Sequence, residues 1–334
     1  MRAKVGIVGF RGYSGAELVR LLDRHPRVEP ILLEHREDAD IPADPIATKQ
    51  HQRVSATADA VRAESVALVF LATPAEVSME LAPGFLAAGA RVVDLSGAFR
   101  FRDANTYSRW YKEEHRAPQL LRDAIYGLPE FCRDGIRDAS LIANPGCYPT
   151  AANLAIQPLI AAGAVDRSAG IVCDAKSGVS GAGRKPSLKT SFCEVSENFS
   201  AYSVLDHRHV PEILMVSGVE EPELSFTAQL LPIHRGILET IYFRARGLGN
   251  AGELLDIYAR RYANEPFIRL HSKALPDIRG VEHTNFCDIG VRLDPASGRA
   301  VVVSAIDNLV KGAAGQAIQN MNLALGFPET EGLL

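Results

Sequence analysis

The strongest constraint on this chain lies at its N-terminus. There a short apolar run, Lys4 to Val8, gives way to Gly9, Gly12 and Gly15 and then to Leu18, Val19, Leu21 and Leu22 at helical spacing. A strand that enters a helix through a turn stripped of side chains is the opening unit of a wound parallel sheet. With Gly6, the glycines recur every third residue as GxxGxxG, which departs from the strict GxGxxG dinucleotide fingerprint. The physical use of such a turn is the same. Backbone without side chains can approach a pyrophosphate, and the helix N-terminus offers unpaired N–H groups and partial positive charge. A purely structural glycine turn is the alternative for the motif taken alone.

The segments that follow keep the same rhythm. Ile31 to Leu33, Val66 to Leu71 and Arg91 to Leu95 read as strands, and Ala75 to Ala88 reads as a helix. Strands alternating with helices imply a doubly wound, Rossmann-type parallel sheet with right-handed crossovers. Past Cys147 the rhythm changes. An apolar helix, Ala151 to Ala162, precedes strand-like segments at Ile171 to Asp174, Leu224 to Leu231, Glu239 to Arg244, Phe286 to Leu293 and Ala300 to Ile306. Ala251 to Ala263 is the main helix among them, so this half is expected to be α+β with a mixed, largely antiparallel sheet. Asn308 to Leu325 is helical again and is stopped by Gly326-Phe327-Pro328. At 334 residues the chain is too long for one ordinary core and too short for three, so two domains are expected.

Composition excludes several classes of function. Apolar residues at 47% and charged residues at 23% describe a soluble globular protein. A formal charge of −4 gives no general attraction to nucleic acid or an anionic membrane. No run of 18 apolar residues is present, and Met1-Arg2-Ala3-Lys4 lacks the apolar core of a signal peptide. Five cysteines, an odd number without a CxxC pair, fit free thiols in a reducing cytoplasm better than a disulfide frame or a metal site.

The sharpest chemical feature is Asn144-Pro145-Gly146-Cys147-Tyr148-Pro149-Thr150, which sets Cys147 after a tight turn and just before an apolar helix. A helix N-terminus lowers a thiol's pKa and favours the reactive thiolate. Cys132, Cys173, Cys193 and Cys287 lack that placement and read as small buried hydrophobes. His207-Arg208-His209-Val210-Pro211-Glu212 supplies two histidines able to move a proton and an arginine able to hold an anion. Histidines two residues apart make a poor metal site without further ligands, so no metal is expected. His25, His35, His51, His115, His234 and His283 read as surface or hydrogen-bonding residues. Ser177 to Arg184 is a second small-residue loop that could wrap a phosphate through backbone N–H groups. After the second strand, Glu34 lies where an acid would accept a bond from the ribose of NAD, and Arg36 where a base would pair with the 2′-phosphate of NADP. The residues alone leave that choice open.

Taken together, these strings resemble the N-acetyl-gamma-glutamyl-phosphate reductase family of arginine biosynthesis, within the semialdehyde dehydrogenase superfamily. The resemblance runs over nearly the whole chain. It is carried by Gly9 to Leu18, Asp94-Leu95-Ser96, Tyr126 to Glu130, Asn144 to Thr150, Ser177 to Arg184, His207 to Ile213, Arg235-Gly236-Ile237 and Ala305 to Gln316. It implies an NAD(P)-binding Rossmann domain over 1–146, completed by a C-terminal helix over 308–334, and a catalytic and dimerisation domain over 147–307. It further implies Cys147 as nucleophile, with His207 as general acid/base and His209 beside it. Cofactor contacts implied are Gly9, Gly12, Tyr13, Ser14, Gly15, Arg36, Ser96, Ser180, Gly181 and Asn308; substrate contacts are Arg100, Asn144, Arg208 and Glu212. Members use NADPH and self-associate as dimers or tetramers. This chain departs from them at His35, where a small hydroxyl residue is usual, and at Phe10-Arg11, where small residues are usual. With Glu34 in place, NAD stays an alternative cofactor. The substrate implied is a small acyl phosphate, with no nucleic acid or membrane partner.

Three rivals stand beside this reading. The resemblance implies reduction of the acyl phosphate to an aldehyde through a thioester on Cys147; aspartate-semialdehyde dehydrogenase shares that chemistry but usually carries its nucleophile in an Asn-Cys pair. The carrier-linked aminoadipyl-phosphate reductase of lysine biosynthesis tends to lack the Asn-Pro-Gly-Cys-Tyr-Pro string. A dinucleotide-sensing binding protein would need neither Cys147 nor the His207/His209 pair.

Overall fold

A computed structural model describes residues 2–36 and 51–334. The chain divides into two compact units, Met1–Gly146 with Ala313–Leu334, and Cys147–Gly312.

In the first unit, the described residues form a sheet in the order β3-β2-β1-β4-β5-β7-β6. Its strands are β1 (Ala3–Val8), β2 (Val28–Glu34), β3 (Arg53–Ser55), β4 (Leu68–Leu71), β5 (Arg91–Asp94), β6 (Ile125–Tyr126) and β7 (Leu141–Ala143). Each paired neighbour runs parallel. Helices α1 (Tyr13–Leu22), α2 (Ala58–Ala63), α3 (Ala75–Ala87), α4 (Ala104–Tyr111) and α5 (Pro129–Asp138) connect or flank them. This is the expected Rossmann-type architecture. β1 is central and apolar throughout its second half, with Val5, Ile7 and Val8 fully buried, as a strand covered on both faces must be. Strand order reverses on either side of β1, which is flanked by β2 and β4. The turn leaving the carboxyl end of β1 therefore lies at the topological switch point, where such sheets bind ligands.

In the second unit, α6 (Cys147–Ala161), β8 (Ile171–Gly178), α7 (Phe192–Val195), β9 (Ser200–Tyr202), α8 (Val210–Ser217), β10 (Leu224–Leu231), β11 (Ile237–Arg244), α9 (Ala251–Arg261), β12 (Ile268–His271), β13 (Cys287–Asp294) and β14 (Arg299–Ile306) follow in sequence. The strands form a sheet in the order β12-β13-β14-β11-β8-β10-β9, mixed and mostly antiparallel as expected. The parallel pairs are β8 with β10 and β12 with β13.

The apolar helix α6 is buried on nearly every side. It begins earlier than its apolar run, at Cys147 itself, because Pro149 in the first turn gives up only an N–H that has no intrahelical partner there. Further along, Pro158 removes the donor that would reach the Leu154 carbonyl, and the Tyr262 hydroxyl supplies it instead at 2.7 Å. Tyr258 and Ser304 donate to the Ala155 and Ala151 carbonyls in the same way. The helix is thus tied to the sheet and to α9 by hydroxyls as well as by packing.

The segment after Asn308 also differs from expectation. A π turn over Val310–Ala314, closed by the Gly312 N–H on the Asp307 carbonyl at 2.9 Å, precedes the C-terminal helix Gly315–Ala324. The reading of the four other cysteines needs correcting in two places. Cys173 and Cys287 are buried, but Cys132 is half-buried and Cys193 is exposed on the short helix α7.

Candidate active site

Within the first unit, the turn after β1 is a cradle of bare backbone. Gly9 takes φ +77°, in the left-handed region that favours glycine. A Cβ on Gly15 would lie 2.1 Å from the Gly9 carbonyl oxygen, so turn and helix pack with no room for a side chain. At the N-cap, Gly12 donates to the Gly9 carbonyl at 3.0 Å; no side chain caps α1 and no acid stands in its first turn. The field of the helix N-terminus is therefore left uncompensated by protein charge, which fits a dinucleotide's phosphates. Tyr13 and Ser14 open that helix and are partly exposed.

Where β2 ends, the Glu34 carboxylate lies 3.5 Å from the Arg11 guanidinium and 3.7 Å from that of Arg53. Both guanidinium groups also approach the buried Phe10 ring, at 5.4 and 6.0 Å. Arg36 is exposed and pairs with Glu80 at 3.4 Å. Asp94, fully buried at the end of β5, accepts from the Ser96 backbone N–H (3.1 Å) and hydroxyl (2.8 Å). Burial holds the Asp94 carboxyl above its ordinary range, against those hydrogen bonds and the Arg100 charge. Arg100 donates to the Asn144 and Leu95 carbonyls. The Asn144 amide donates to the Ala313 carbonyl, and its oxygen accepts from Asn320. Arg100 and Asn144 thus brace the turn that leads to Cys147.

In the second unit, Cys147 is the first residue of α6, with no acid in the helix's first turn. Its neighbour Tyr148 connects it to the histidines. The Tyr148 ring meets His207 edge-on at 5.4 Å between centroids and His209 at 6.0 Å, and the two imidazoles are 4.8 Å apart. Both histidines are buried, at 7% exposure, so the segment is no solvated turn. The Tyr148 hydroxyl lies 3.2 Å from that of Tyr202 and donates to the Gln229 carbonyl. Burial pushes the Tyr148 phenol well up, and Tyr202 and the Cys147 thiol push in the same direction. Burial chiefly, with the Arg208 charge second, lowers His207 to about 4. The Nδ1 of His207 accepts the His209 backbone N–H at 3.2 Å, so the neutral ring carries its proton on Nε2. Arg208 is exposed between them, and Glu212 is fully buried in the first turn of α8.

Ser180 and Asn308 are brought together, with the Asn308 amide donating to the Ser180 hydroxyl at 3.0 Å. Gly181 is exposed at the same loop, and a Cβ on it would lie 2.8 Å from the Ser177 hydroxyl. Four residues of this region were not foreseen. Tyr148 was readable from its place beside Cys147. Tyr202, Asp307 and Gly312 reach the site only through strand pairing and the π turn, which leave no local signal. Among the described residues, no cluster of three His, Cys, Asp or Glu side chains is arranged to hold a metal ion. No helix among them is long and apolar enough to cross a membrane.

Two family profiles match this chain. Residues 4–139 match a semialdehyde dehydrogenase NAD binding domain, and residues 147–308 a semialdehyde dehydrogenase dimerisation domain. Among curated proteins, the chain is 46% identical to the N-acetyl-gamma-glutamyl-phosphate reductase of Symbiobacterium thermophilum, covering 100% of this chain and 98% of that one. It is 48% identical to the protein of that name from Desulforudis audaxviator, over 99% and 98% of the two chains. Among solved structures, aspartate semialdehyde dehydrogenase II from Vibrio cholerae, complexed with ASA, superposes with TM-score 0.74 at 18% identity over 98% of this chain and 99% of that one. The enzyme from Candida albicans with NADP gives 0.71 at 17%, over 97% and 98%. These structural likenesses establish the fold.

Proposed function

Because the chain belongs to the N-acetyl-gamma-glutamyl-phosphate reductase family, we propose that it reduces N-acetyl-L-glutamyl 5-phosphate to N-acetyl-L-glutamate 5-semialdehyde and phosphate, in arginine biosynthesis. The observation that carries the chemistry is Cys147 at the N-terminus of α6, joined through the Tyr148 ring to two buried histidines.

The Cys147 thiolate, favoured by the helix N-terminus, attacks the acyl carbon. The carbon–oxygen bond to phosphate breaks, phosphate leaves with the electron pair, and an acyl thioester on Cys147 remains. His207, neutral with its proton on Nε2, donates to the acyl oxygen as charge builds there. His209 takes the thiol proton in the first half of the reaction. Reduced nicotinamide, when bound, would supply a hydride to the thioester carbon; the acyl oxygen takes the proton that His209 carries, which gives a thiohemiacetal on Cys147. That adduct collapses as its carbon–sulfur bond breaks, its hydroxyl proton passes to a histidine, and Cys147 leaves as thiolate. Arg208 is the cation for the substrate's anionic groups. Arg100 and Asn144 brace the turn before Cys147, and Glu212 is buried in the first turn of α8.

Dinucleotide binding is assigned to residues 1–146 with the C-terminal helix 308–334, through Gly9, Gly12, Tyr13, Ser14, Gly15, Ser96 and Asn308; Ser180 and Gly181 are proposed as cofactor contacts outside those ranges. Catalysis and self-association are assigned to 147–307. We take NADPH as the cofactor, since Arg11 and Arg53 set two guanidinium groups at the end of β2 and Arg36 follows two residues past Glu34, where a 2′-phosphate partner is expected. The protein is taken to be a cytoplasmic homo-oligomer. The relatives favour this substrate over the aminoadipyl and aspartyl alternatives.

The test runs the reaction backwards, with N-acetylglutamate semialdehyde, phosphate and NADP or NAD, following the reduced-nicotinamide absorbance. Reduction that depends on this aldehyde, and that falls at least about 10³-fold in Cys147→Ala, is the expected result. No reduction with the wild type, or near-normal rates in the variant, would refute the proposal.

A further inference from the structure

We infer that Asp307 is a positioning residue for the Cys147 thiol, acting through the π turn that lays Gly312 against the nucleophile. Asp307 directly follows β14 and is fully buried. Four donors converge on its carboxylate. One oxygen accepts the backbone N–H groups of Leu309 (2.8 Å) and Val310 (3.2 Å). The other accepts from the Arg235 guanidinium (3.1 Å) and the His283 N–H (2.6 Å). The carbonyl of the same residue takes the Gly312 N–H at 2.9 Å, the five-residue step of a π turn. A single residue thus sets both where this turn starts and how wide it winds. Such turns are rare and gather at functional sites.

Gly312 shows what the turn is for. A Cβ built there would lie 2.8 Å from the Cβ of Cys147 and 3.3 Å from its Cα. Backbone alone can occupy that space, so the turn rests on the nucleophilic residue with no side chain between them. Movement of the turn by a few tenths of an ångström becomes movement at Cys147, because close-packed interiors transmit such shifts.

The surroundings hold Asp307 firmly. Arg235, itself buried at 7% exposure, neutralises the carboxylate and also bonds the His283 ring at 3.1 Å. His283 adopts φ +64°, a conformation costly for a residue with a side chain, and in that conformation it donates its N–H to Asp307. The next residue, Asn308, accepts from the Gly236 N–H at 2.7 Å and donates to Ser180. The step Asp307-Asn308 therefore ties the start of β11 and the loop after β8 to the turn over Cys147.

The inference rests on Cys147 being the nucleophile, so its test carries Cys147→Ala alongside Gly312→Ala and Asp307→Asn in the full-length protein. Four readouts are taken: kcat and KM in the reverse reaction, the rate of Cys147 alkylation by iodoacetamide followed on its peptide, NADP affinity, and melting temperature. Gly312→Ala is expected to lower kcat and the alkylation rate by about 10- to 100-fold, with KM and NADP affinity within about twofold of wild type. Asp307→Asn is expected to move kcat and alkylation the same way, and it carries the test if Gly312→Ala does not fold. Unchanged kcat and alkylation in the folded variants, with activity lost in Cys147→Ala, would overturn the inference and leave the nucleophile in place. Full activity in Cys147→Ala would overturn both.

Discussion

Two strand-turn-helix junctions, one opening each half of the chain, use the same physics for opposite ends. The first runs from β1 through Gly9 and Gly12 into α1, and the second from β7 through Asn144-Pro145-Gly146 into α6. Neither helix has an acid in its first turn, so each N-terminus keeps its partial positive charge for something else. At the first junction side chains are removed, and the charge is offered outward to a diffusible anion. At the second, a thiol is placed on the helix's first residue, and the charge is spent on a group of the protein itself. The difference shows in the neighbours. Around α1 the charged groups are part-exposed, whereas Cys147 has buried rings beside it. On the proposed function, the open cradle serves a diffusible ligand and the walled one serves the nucleophilic thiol.

The largest effect should come from those walls. Replacing His207 or His209 by Asn is expected to lower kcat about 10²- to 10⁴-fold while leaving dinucleotide affinity unchanged, measured by nicotinamide fluorescence titration. If affinity fell and kcat did not, the two junctions would not be divided between chemistry and binding.

How much of this division the sequence shows differs between the junctions. The first is legible almost residue by residue, because a glycine turn between an apolar strand and an amphipathic helix is a local pattern. At the second, Cys147 and the His207/His209 pair are legible as residue types in telling places. Their packing is not, because it depends on partners set by long-range pairing. Tyr202 comes to Tyr148 on β9, whose register on β10 pairs Tyr202 with Ala228, and Asp307 is placed by β14 pairing with β11. Cys193 shows the reverse error. Its run, Phe192-Cys193-Glu194-Val195, looks as apolar as a buried segment, yet Phe192 is 82% exposed. Burial belongs to the fold, and periodicity reports it only where an element presents one face to a core.

Acid should separate the junctions next. Burial holds His207 at about 4 in the folded protein against an ordinary 6.5. Above pH 6.5 both states are neutral there, and His207 contributes no pH dependence. Below it the unfolded chain binds a proton that the folded chain refuses. Stability is therefore lost as pH falls from 6.5 to about 4, by about 3 kcal/mol in total. His25 and His115 are lowered by burial too and act in the same direction. The measurable quantity is therefore the difference between wild type and His207→Gln in urea unfolding at pH 7.5 and pH 4.5. The gap in stability should shift in favour of the variant at the lower pH; a constant gap would mean that His207 titrates normally.

A smaller loss is expected from refilling the first cradle. Gly15→Ala forces a methyl group into the Gly9 carbonyl, and backbone there cannot swing aside. Destabilisation on the order of 2 kcal/mol, with weakened NADP binding, should result. Cys147 alkylation in the folded fraction should not change; a change would mean that the two junctions are coupled.

The finest distinction concerns which dinucleotide the open cradle prefers. An acid at the end of the second strand ordinarily accepts a ribose hydroxyl and so selects NAD. Here that acid, Glu34, lies within ion-pair distance of Arg11 and Arg53, whose guanidinium groups both lie over the Phe10 ring. Phe10-Arg11 stand where small residues are expected in the family's glycine turn, and they bring a cation to Glu34. On the proposed function, Glu34 orients these arginines, and the arginines are the cations for the 2′-phosphate of NADP. Because these groups are part-exposed, each contributes modestly: Arg11→Ala and Arg53→Ala should each lower the NADP-over-NAD affinity ratio by about fivefold, equivalent to ~1 kcal/mol. Glu34→Gln should leave NAD affinity nearly unchanged, since its carboxylate is already engaged. A collapse of NAD binding in Glu34→Gln would make the acid a ribose acceptor after all. An unaltered ratio in both arginine variants, with a large drop in Arg36→Ala, would give the phosphate to Arg36 alone and reduce the Phe10-Arg11 departure to packing.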